Sequence, residues 1–468
     1  MTTLQAQVDA LVKEFEVSAA DLDKCVERFL EQATASLAKP TDKGLPMLPT
    51  YLTTVPTGDE KGVYLAADLG GTNFRVCSVT LLGEGKFDIV QEKWPTPQEV
   101  MRGDAAGLFK FLADCMDEFL RKHHGDKFTC EEGVTIAGKV DPLKLGLTFS
   151  FPITQTSLNT GTLLRWTKGF DILELVGKDV AKLLQAEITR RKMPVYIAAT
   201  INDTVGCLMT RAYTTGKGVN TVMGTIFGTG TNAAYVENVK AIKKLDDPKD
   251  EGGIMVINTE WGSFDNDLTV LPNTRFDIAL DKVTPNKGFH MFEKRVSGLF
   301  LGELTRLVLH ELYDNKVLFT GQSTVGSTVL KTPFSINTSV PSLIEGDDTP
   351  DLTETEEIIK DAFGYSTSLE ERRAIRRVCQ AIGTRSARLS ASALAGLLIK
   401  SDSFEKYEKL DIGGDGSVVE FYPHFEERVR RAWCEMATVG SYKEQRITLG
   451  IAKDGSGVGA ALCALVAP

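Results

Sequence analysis

Apolar residues recur at helical spacing in the first part of the chain. The first stripe predicts an amphipathic helix and consists of Leu4, Val8, Leu11, Val12 and Phe15. A capping box formed by Ser18 and Asp21 predicts a second helix that ends before Pro40. Residues 40–62 carry four prolines and are interpreted as an extended linker. A new folded unit is therefore expected to begin near the end of this linker.

From Tyr64 onward the pattern changes to strands joined by a glycine-rich turn. Predicted strands at residues 64–68 and 74–81 flank the turn at residues 69–72. The same arrangement returns about 160 residues later around a turn at residues 228–232. The repetition predicts a duplicated α/β half, and its helices are expected at residues 171–191, 289–313 and 368–400.

Both glycine-rich turns are candidate phosphate sites, because backbone N–H groups free of side chains can approach a di- or triphosphate closely. Each turn also carries hydroxyl and amide groups, namely Thr72 and Asn73, and Thr229, Thr231 and Asn232. The alternative is a pair of ordinary hairpin turns. The matched pair favours phosphate binding, and since the chain contains no GxxxxGK[ST] sequence, a Walker-type site is excluded.

Two further glycine clusters lie near the end of the chain. Residues 412–417 precede a run predicted as a strand at residues 418–422. Residues 454–459 precede an apolar helix predicted at residues 460–466. Helix N-termini favour anions, but we interpret this last cluster as a structural turn.

Polar residues follow predicted strands, where α/β proteins place their sites. The strand at residues 197–201 runs into Asn202 and Asp203, which makes Asp203 a candidate base. The alternative, that this residue caps the following helix, stays open at this point. Another strand ends in Asn258 and is soon followed by Glu260.

Other residues have structural interpretations. His123 and His124 are adjacent in a charged stretch. Because neighbouring helical residues point in different directions, no shared metal is expected, and the two are predicted to be a solvated surface pair. Trp166 is predicted to be a core residue. The eight cysteines form no CxxC pair, which predicts reduced thiols and no zinc site.

Charge and composition narrow the classes of function. Of the residues, 25% are charged and 42% hydrophobic, as in folded proteins with large cores. The 53 basic and 63 acidic residues give a net charge of −10, which disfavours nucleic acid and anionic lipid as partners. No apolar run is long enough to span a bilayer, and the N-terminus lacks the features of a signal peptide. A cytoplasmic protein is expected.

Taken together, the motifs carry a specific resemblance. Six tracts occur in order at residues 68–76, 148–152, 164–170, 202–206, 228–232 and 258–262. With Phe292-Glu293-Lys294 and Asp415-Gly416-Ser417, they resemble the eukaryotic hexokinases over almost the whole chain. The segments at residues 261–266, 294–298 and 451–463 are similar to the fungal glucokinase branch in particular.

The resemblance implies an actin-like, ribonuclease-H-like fold with two α/β domains around a deep cleft. Residues 1–60, the N-terminal helices and linker, would belong to the large domain. Residues 61–207 would form the small domain and residues 208–453 the large one. Residues 454–468 would form a C-terminal helix that returns toward the small domain.

The resemblance also implies ATP-dependent phosphorylation of glucose, and of mannose, at the 6-hydroxyl. Asp203 would be the general base and Lys168 a second catalytic residue that offsets charge. The sugar would be held by Ser150, Thr167, Lys168, Asn202, Asp203, Asn232, Glu260 and Glu293. This mixture of acceptors and donors is independently what a ring of hydroxyls requires.

The implied ATP site comprises Asp68, Gly70, Gly71, Thr72, Asn73, Arg75, Gly228, Thr229, Gly230, Thr231, Thr338, Gly414, Asp415, Gly416 and Ser417. Magnesium would be held by the nucleotide and would reach Asp68 and Asp203 only through water, with no direct protein ligand. A monomer or weak homo-oligomer is expected, with a small-molecule hexose as substrate.

One departure from the wider family concerns sugar preference. Many hexokinases have Gln three residues before the Phe-Glu-Lys glutamate, whereas this chain has His290, as the fungal glucokinase branch does. Imidazole is shorter and titrates near neutrality, which favours glucose and mannose over fructose. Two other functions compete with a kinase: a non-catalytic sugar sensor, which would have lost the base or a phosphate turn, and an actin-like ATPase, which would not need the sugar residues.

Overall fold

The protein is described by a computed structural model that covers residues 3–41, 43–125, 142–166, 169–245, 252–320, 322 and 326–467. The strands are β1 (Leu48–Pro49), β2 (Lys61–Leu69), β3 (Asn73–Gly83), β4 (Lys86–Pro95), β5 (Leu143–Phe149), β6 (Ile153–Thr154), β7 (Thr162–Leu163), β8 (Val195–Ile201), β9 (Asn220–Phe227), β10 (Thr231–Asn238), β11 (Ile254–Asn258), β12 (Leu410–Asp415) and β13 (Ile447–Ile451).

The first helices are α1 (Leu4–Glu14), α2 (Ala19–Ala38), α3 (Gln98–Met101), α4 (Ala105–His124), α5 (Val180–Arg190), α6 (Asp203–Thr215), α7 (Arg275–Val283), α8 (Glu293–Val296) and α9 (Gly298–Asp314). They are followed by α10 (Ser327–Lys331), α11 (Ser339–Gly346), α12 (Thr353–Phe363), α13 (Leu369–Lys400), α14 (Ser403–Lys406), α15 (Ser417–Phe421), α16 (Phe425–Glu435), α17 (Gly440–Glu444) and α18 (Gly455–Val466). Short 3₁₀ turns lie at Leu173–Leu175, Val239–Ala241 and Trp261–Ser263.

Two sheets share one strand plan. The five-stranded sheet has the order β4-β3-β2-β5-β8, with an antiparallel β2–β3–β4 meander followed by two parallel strands. The six-stranded sheet repeats this plan as β11-β10-β9-β12-β13, and β1 is added at its edge. The predicted duplication of an α/β half is confirmed. We call the part of the chain built on the five-stranded sheet the small lobe and the part built on the six-stranded sheet the large lobe.

The helices α6 and α18 join the two lobes. Helix α18 packs on β2 and β5 of the small lobe, α6 packs on β9 of the large lobe, and the two helices cross. Their buried residues form one core with apolar residues from both sheets, including Ala66, Val79 and Ala234. A Cβ on Gly459 would lie 2.1 Å from the carbonyl oxygen of Gly206, so the backbones touch at the crossing. The predicted domain boundary at residue 207 therefore falls within this joint.

The helix and hairpin predictions near the N-terminus are confirmed. Helices α1 and α2 occupy the predicted positions, and the Ser18 side chain accepts a hydrogen bond from the Asp21 N–H. The linker is not wholly free, because β1 pairs with β11. Helix α13 begins with a complete capping box between Ser368 and Glu371.

Several predicted elements were wrong in type or extent. The run at residues 418–422 lies in helix α15 and its following turn, because a five-residue apolar run does not distinguish strand from helix. Gly413 and Gly414 lie inside β12, where Arg211 and Val419 pack against them. Helix α18 begins at Gly455 within the glycine cluster. The predicted helix at residues 171–191 begins only at Val180.

The prediction of a solvated histidine pair was wrong for one member. His123 lies 2.9 Å from a carboxylate oxygen of Glu92, whereas His124 is buried at the end of α4, where its ring lies 6.1 Å from that of Phe119. The seven cysteines in the described part of the chain are free, and Cys130 lies outside it. In the same part, no helix combines the length and the apolar composition needed to cross a bilayer.

Candidate functional site

The turn between β2 and β3, which we call the first tip (residues 70–73), opens on a cavity of about 570 Å³. The predicted ATP residues of this region all line that cavity: Asp68, Gly70, Gly71, Thr72, Asn73 and Arg75. Within the turn, Gly70 N–H donates to the Asn73 carbonyl, and the Asn73 amide donates to the Thr72 hydroxyl. The structure thus brings these residues together around one space.

Arg75 is the cationic centre of the first tip. Its guanidinium lies 3.2 Å from Asp68 and 3.4 Å from Asp454, and it also donates to Gln91 and to the Ser456 hydroxyl. The side chains of Asp68 and Arg75 are 19% and 18% exposed, so this ion pair is largely shielded from water. Asp454 and Ser456 belong to the cluster that we interpreted as structural, and their side chains are site residues that the sequence reasoning missed.

The turn between β9 and β10, which we call the second tip (residues 228–231), is held by the segment that leads into α9. Gly298 N–H donates to the Gly228 carbonyl at 2.7 Å, and Leu299 N–H donates to the Thr229 carbonyl at 3.1 Å. The Thr231 hydroxyl accepts from the indole N–H of the buried Trp261 at 3.0 Å. The second tip is therefore fixed on two sides by hydrogen bonds.

An amide and carboxylate cluster lies beside the second tip. Asn232 is its centre, and its Nδ2 lies 3.3 Å from Asn202 Oδ1, 2.8 Å from Asn258 Oδ1 and 3.1 Å from Glu260 Oε1. Asn258 also donates to Glu260 at 2.9 Å. Three residues predicted to bind sugar thus meet, and Asn258 joins them although it was not predicted as a site residue.

Glu293 brings the α8 segment into the same region. The Thr231 N–H donates to its Oε2 at 3.0 Å, and His290 Nδ1 lies 3.1 Å from its Oε1. A Cβ on Gly230 would lie only 2.8 Å from Oε2. A predicted sugar residue is therefore in direct contact with a predicted phosphate-binding turn.

The two readings of Asp203 separate in the structure. Asn202 is the N-cap of α6, and its side-chain oxygen accepts from the Thr204 N–H. Asp203 is the first residue of the helix, and its Oδ1 also accepts from this N–H at 2.9 Å. Capping thus falls to Asn202, while the Asp203 carboxylate lies at the helix N-terminus, where the dipole favours negative charge.

Of the remaining predicted sugar residues, Ser150 lies next to β5. Ser150 directly follows this strand, and its N–H is 3.4 Å from the Leu69 carbonyl, next to the first tip. Thr167 and Lys168 lie outside the described residues. The adjacent Trp166 is stacked on Phe170 and donates to the Ile172 carbonyl, as predicted for a core residue rather than a sugar platform.

A second cavity, of about 420 Å³, is lined by three of the other predicted nucleotide residues. Thr229, Thr338 and Ser417 line it together with Leu299 and Phe421. The Thr338 hydroxyl accepts from Gly302 N–H at 2.9 Å and donates to the Gly298 carbonyl, so its hydrogen bonds are already occupied. This residue thus shapes the cavity wall.

The strand β12 connects this cavity to the second tip. A Cβ on Gly416, whose φ is +110°, would lie 2.7 Å from the Gly228 nitrogen, so the two turns are in backbone contact. Burial raises the pKa of Asp415, and the negative charges of Glu420 and Asp454 act in the same direction. Gly414 lies within β12 and is buried. The predicted nucleotide residues of the first tip therefore line one cavity, while Thr229 of the second tip lines the other with Thr338 and Ser417.

Known proteins share this arrangement of sequence and fold. Two hexokinase family models match residues 7–213 and residues 222–466. The chain is 45% identical to a glucokinase of Aspergillus niger, over 98% of this chain and 96% of that protein. It is 43% identical to glucokinase-1 of Saccharomyces cerevisiae, over 98% and 97%. The solved structure of a hexokinase from Schistosoma mansoni complexed with glucose is 33% identical and covers 99% of each chain, with a TM-score of 0.81.

Proposed function

The chain belongs to the hexokinase family, and from this premise we propose that it transfers the γ-phosphoryl group of ATP to the 6-hydroxyl of glucose, and also of mannose. The products are the hexose 6-phosphate and ADP. The observation that carries the proposal is the hydrogen bond from the Thr231 N–H of the second tip to Glu293, a predicted sugar residue. It sets groups suited to a sugar next to a turn suited to phosphate.

The sugar site combines carboxylates, which only accept hydrogen bonds, with amides, which both donate and accept them. Asn202, Asn232 and Glu260 already share hydrogen bonds, so they are oriented before the sugar arrives. Sugar hydroxyls replace part of this network when they bind, and each finds a partner. Ser150, Thr167, Lys168 and Glu293 complete the proposed set.

Asp203 acts as the general base. A carboxylate that accepts the proton of the attacking hydroxyl contributes typically 10²- to 10⁴-fold to such a reaction. At the start of α6 its Oδ1 accepts from the Thr204 N–H, which orients the carboxylate at the helix N-terminus. Lys168 and Arg75 offset charge on the phosphates.

ATP and Mg²⁺ fit the residues of the two cavities. The first tip offers backbone N–H groups and the Arg75 cation, and the second cavity offers apolar walls at Leu299 and Phe421 for a base. Asp68 and Asp203 are the acidic groups proposed near the ion, and they would reach Mg²⁺ only through water. When bound with ATP, Mg²⁺ neutralises charge on the phosphate oxygens. The protein residues position the two substrates and hold the proton.

The proposal also covers the domain boundaries, closure of the cleft, the oligomeric state and the cellular location. We assign residues 61–207 to the small domain and residues 208–453 to the large one, with sugar binding closing the cleft between them. Closure would keep water, a smaller nucleophile than the sugar, from using ATP. We further propose a monomer or weak homo-oligomer, since a net charge of −10 opposes self-association, and a cytoplasmic location.

The test measures ADP release from ATP and Mg²⁺ with glucose, mannose, fructose or no sugar. We expect release with glucose and mannose, less with fructose, and very little without sugar. Asp203→Asn should lower kcat by about 10²-fold or more. Asp179→Asn is the matched control, because Asp179 caps α5 in the same lobe and asparagine caps equally well. Folded protein that binds glucose but releases no ADP would instead be a sensor.

A further inference from the structure

His290 is held in an uncommon backbone conformation beside Glu293. Its φ is +56°, in the left-handed region, which among non-glycine residues Asn, Asp and His occupy most often. Its carbonyl accepts from the Lys294 N–H at 3.0 Å, and the next N–H, of Met291, donates to the Asn266 side chain at 3.1 Å. Neighbouring contacts thus maintain a conformation that costs free energy, as is typical of functional positions.

The His290 imidazole lies beside Glu293 and Gly262. A Cβ on Gly262 would lie 3.5 Å from His290 Nδ1 and 3.4 Å from Glu293 Cβ, so both side chains pack at van der Waals distance from this glycine. The His290 side chain is 25% exposed and that of Glu293 is 19% exposed. Lys294, the cation that follows Glu293 in the chain, is engaged by Asp281 and the Asn286 carbonyl. His290 therefore faces Glu293 rather than another charge.

Both carboxylate oxygens of Glu293 have a protein donor. Oε2 accepts from the Thr231 N–H, and Oε1 lies 3.1 Å from His290 Nδ1. Since an ionised carboxylate only accepts hydrogen bonds, Nδ1 must carry the proton. A carboxylate has about four acceptor sites, so two remain for other donors. Those two sites have fixed directions because the carboxylate is held at both oxygens.

We propose that His290 is a positioning residue that sets the affinity for the sugar by fixing Glu293 through its Nδ1–H. The inference rests on the proposed function, in which Glu293 accepts hydrogen bonds from sugar hydroxyls. A glutamate side chain loses substantial rotamer freedom when it is ordered. With His290 in place this loss occurs during folding rather than on binding, which strengthens binding without changing the phosphoryl transfer itself.

The test compares His290→Leu with His290→Asn. Asparagine tolerates the left-handed backbone and offers an N–H at the position of Nδ1, but has nothing at the position of Nε2. Glucose dissociation constants are measured from intrinsic tryptophan fluorescence, which needs no turnover, since Trp261 lies beside Thr231. Steady-state KM and kcat are measured in parallel, with thermal unfolding as the check on folding.

We expect His290→Leu to weaken glucose binding by about tenfold, the loss typical of one hydrogen bond to a charged group, with kcat changed by less than about twofold. His290→Asn should restore most of the affinity. Unchanged affinity in His290→Leu would overturn the inference, as would an Asn variant that is folded yet binds as weakly as the Leu variant. If the unmodified protein binds glucose without turnover, the proposed function fails, while the binding data still decide the role of His290.

Discussion

The two glycine-rich tips have the same strand plan but are held in different ways. The first tip is surrounded by charged side chains, with Arg75 contacting Asp68 and Asp454, and its turn faces an open cavity. The second tip is fixed by backbone hydrogen bonds from Gly298 and Leu299. The two copies of the duplicated hairpin are thus stabilised differently, one by charged side chains and the other by backbone hydrogen bonds.

The difference indicates a division of labour. A tip surrounded by charges is suited to phosphates, whose binding depends on compensating charge. A tip held by backbone and touching Glu293 can transmit small displacements to the sugar residues. Substitutions in the first tip should therefore affect ATP alone, whereas a substitution in the second tip that displaces Glu293 should affect the sugar.

The largest effect on stability is expected at the crossing of α6 and α18, because these helices fix the position of one tip relative to the other. Gly459→Ala places a methyl carbon 2.1 Å from the Gly206 carbonyl oxygen, and neither backbone can yield locally. We expect a loss of more than about 3 kcal/mol in the free energy of unfolding, measured by urea denaturation. Gly457→Ala is the control, because its nearest contact is the Cys77 sulfur at 3.2 Å. Equal stability of the two variants would contradict a tight joint.

The next largest effect is expected in the second tip. In Gly230→Ala the new Cβ would lie 2.8 Å from Glu293 Oε2, so this carboxylate must move. We expect glucose affinity to fall by about 30-fold, because a hydrogen bond to a charged group is displaced. In Gly228→Ala the nearest atom is 3.4 Å away, and glucose affinity should stay unchanged. Fluorescence titration measures both, and a similar loss in both variants would argue against the Glu293 contact as the cause.

A smaller effect is expected in the first tip. A Cβ on Gly70 has no neighbour nearer than the Asn73 carbonyl oxygen at 3.6 Å, so Gly70→Ala should fold normally. Its methyl group enters the cavity that ATP is proposed to occupy, and we expect the KM for ATP to rise about tenfold while glucose affinity is unchanged. Steady-state kinetics with each substrate varied will show whether the effect is confined to ATP.

The smallest expected effect is on the pH dependence of stability, which should differ between an ion pair in the large lobe and one in the small lobe. In the large lobe, burial opposes ionisation of Asp277, but the charge and hydrogen bonds of Arg385 outweigh it and lower the pKa of Asp277 to about 2. Because the folded-state pKa lies below the unfolded value of 3.8, this stabilisation is present above about pH 4 and is lost as the pH falls toward 2.

At pH 3 the loss from Asp277 amounts to about 1 kcal/mol relative to pH 7. The thermal unfolding temperature of the unmodified protein should therefore fall more steeply between pH 7 and pH 3 than that of the Asp277→Asn variant. Asp117→Asn in the small lobe is the control, since the Asp117–Arg121 pair is exposed and contributes little. A parallel decline in the unmodified protein and Asp277→Asn would contradict the assignment.

The sequence predicted the features that depend on neighbours along the chain. Both hairpins, the α1 and α2 helices and the duplicated α/β plan follow from local periodicity and turn residues, and the resemblance to hexokinases and their actin-like fold is confirmed. Residues 418–422 were misassigned because their helix is decided by packing after Gly416 rather than by their apolar character.

Contacts between residues that are far apart along the chain could not be predicted from the sequence. Asp454 and Ser456 contact Arg75 across some 380 positions, and no local pattern records such a contact. Asn258 was visible at a strand end, but only the pairing of β10 with β11 brings it to Asn232. The individual roles of the predicted site residues stay predictions until the variants above are measured.

The position of α18 has a consequence for synthesis on the ribosome. All strands of the small sheet are supplied by residue 201, yet the helix that covers one face of that sheet comes from residues 455–466. At translation rates of about 5 to 20 residues per second, the nascent chain exposes that apolar face for roughly 15 to 50 s. The large sheet is also completed late, because its edge strands are β1 and β13, which are synthesised far apart in time. Chaperones that shield apolar surface are therefore expected to associate with this chain until its last helix emerges.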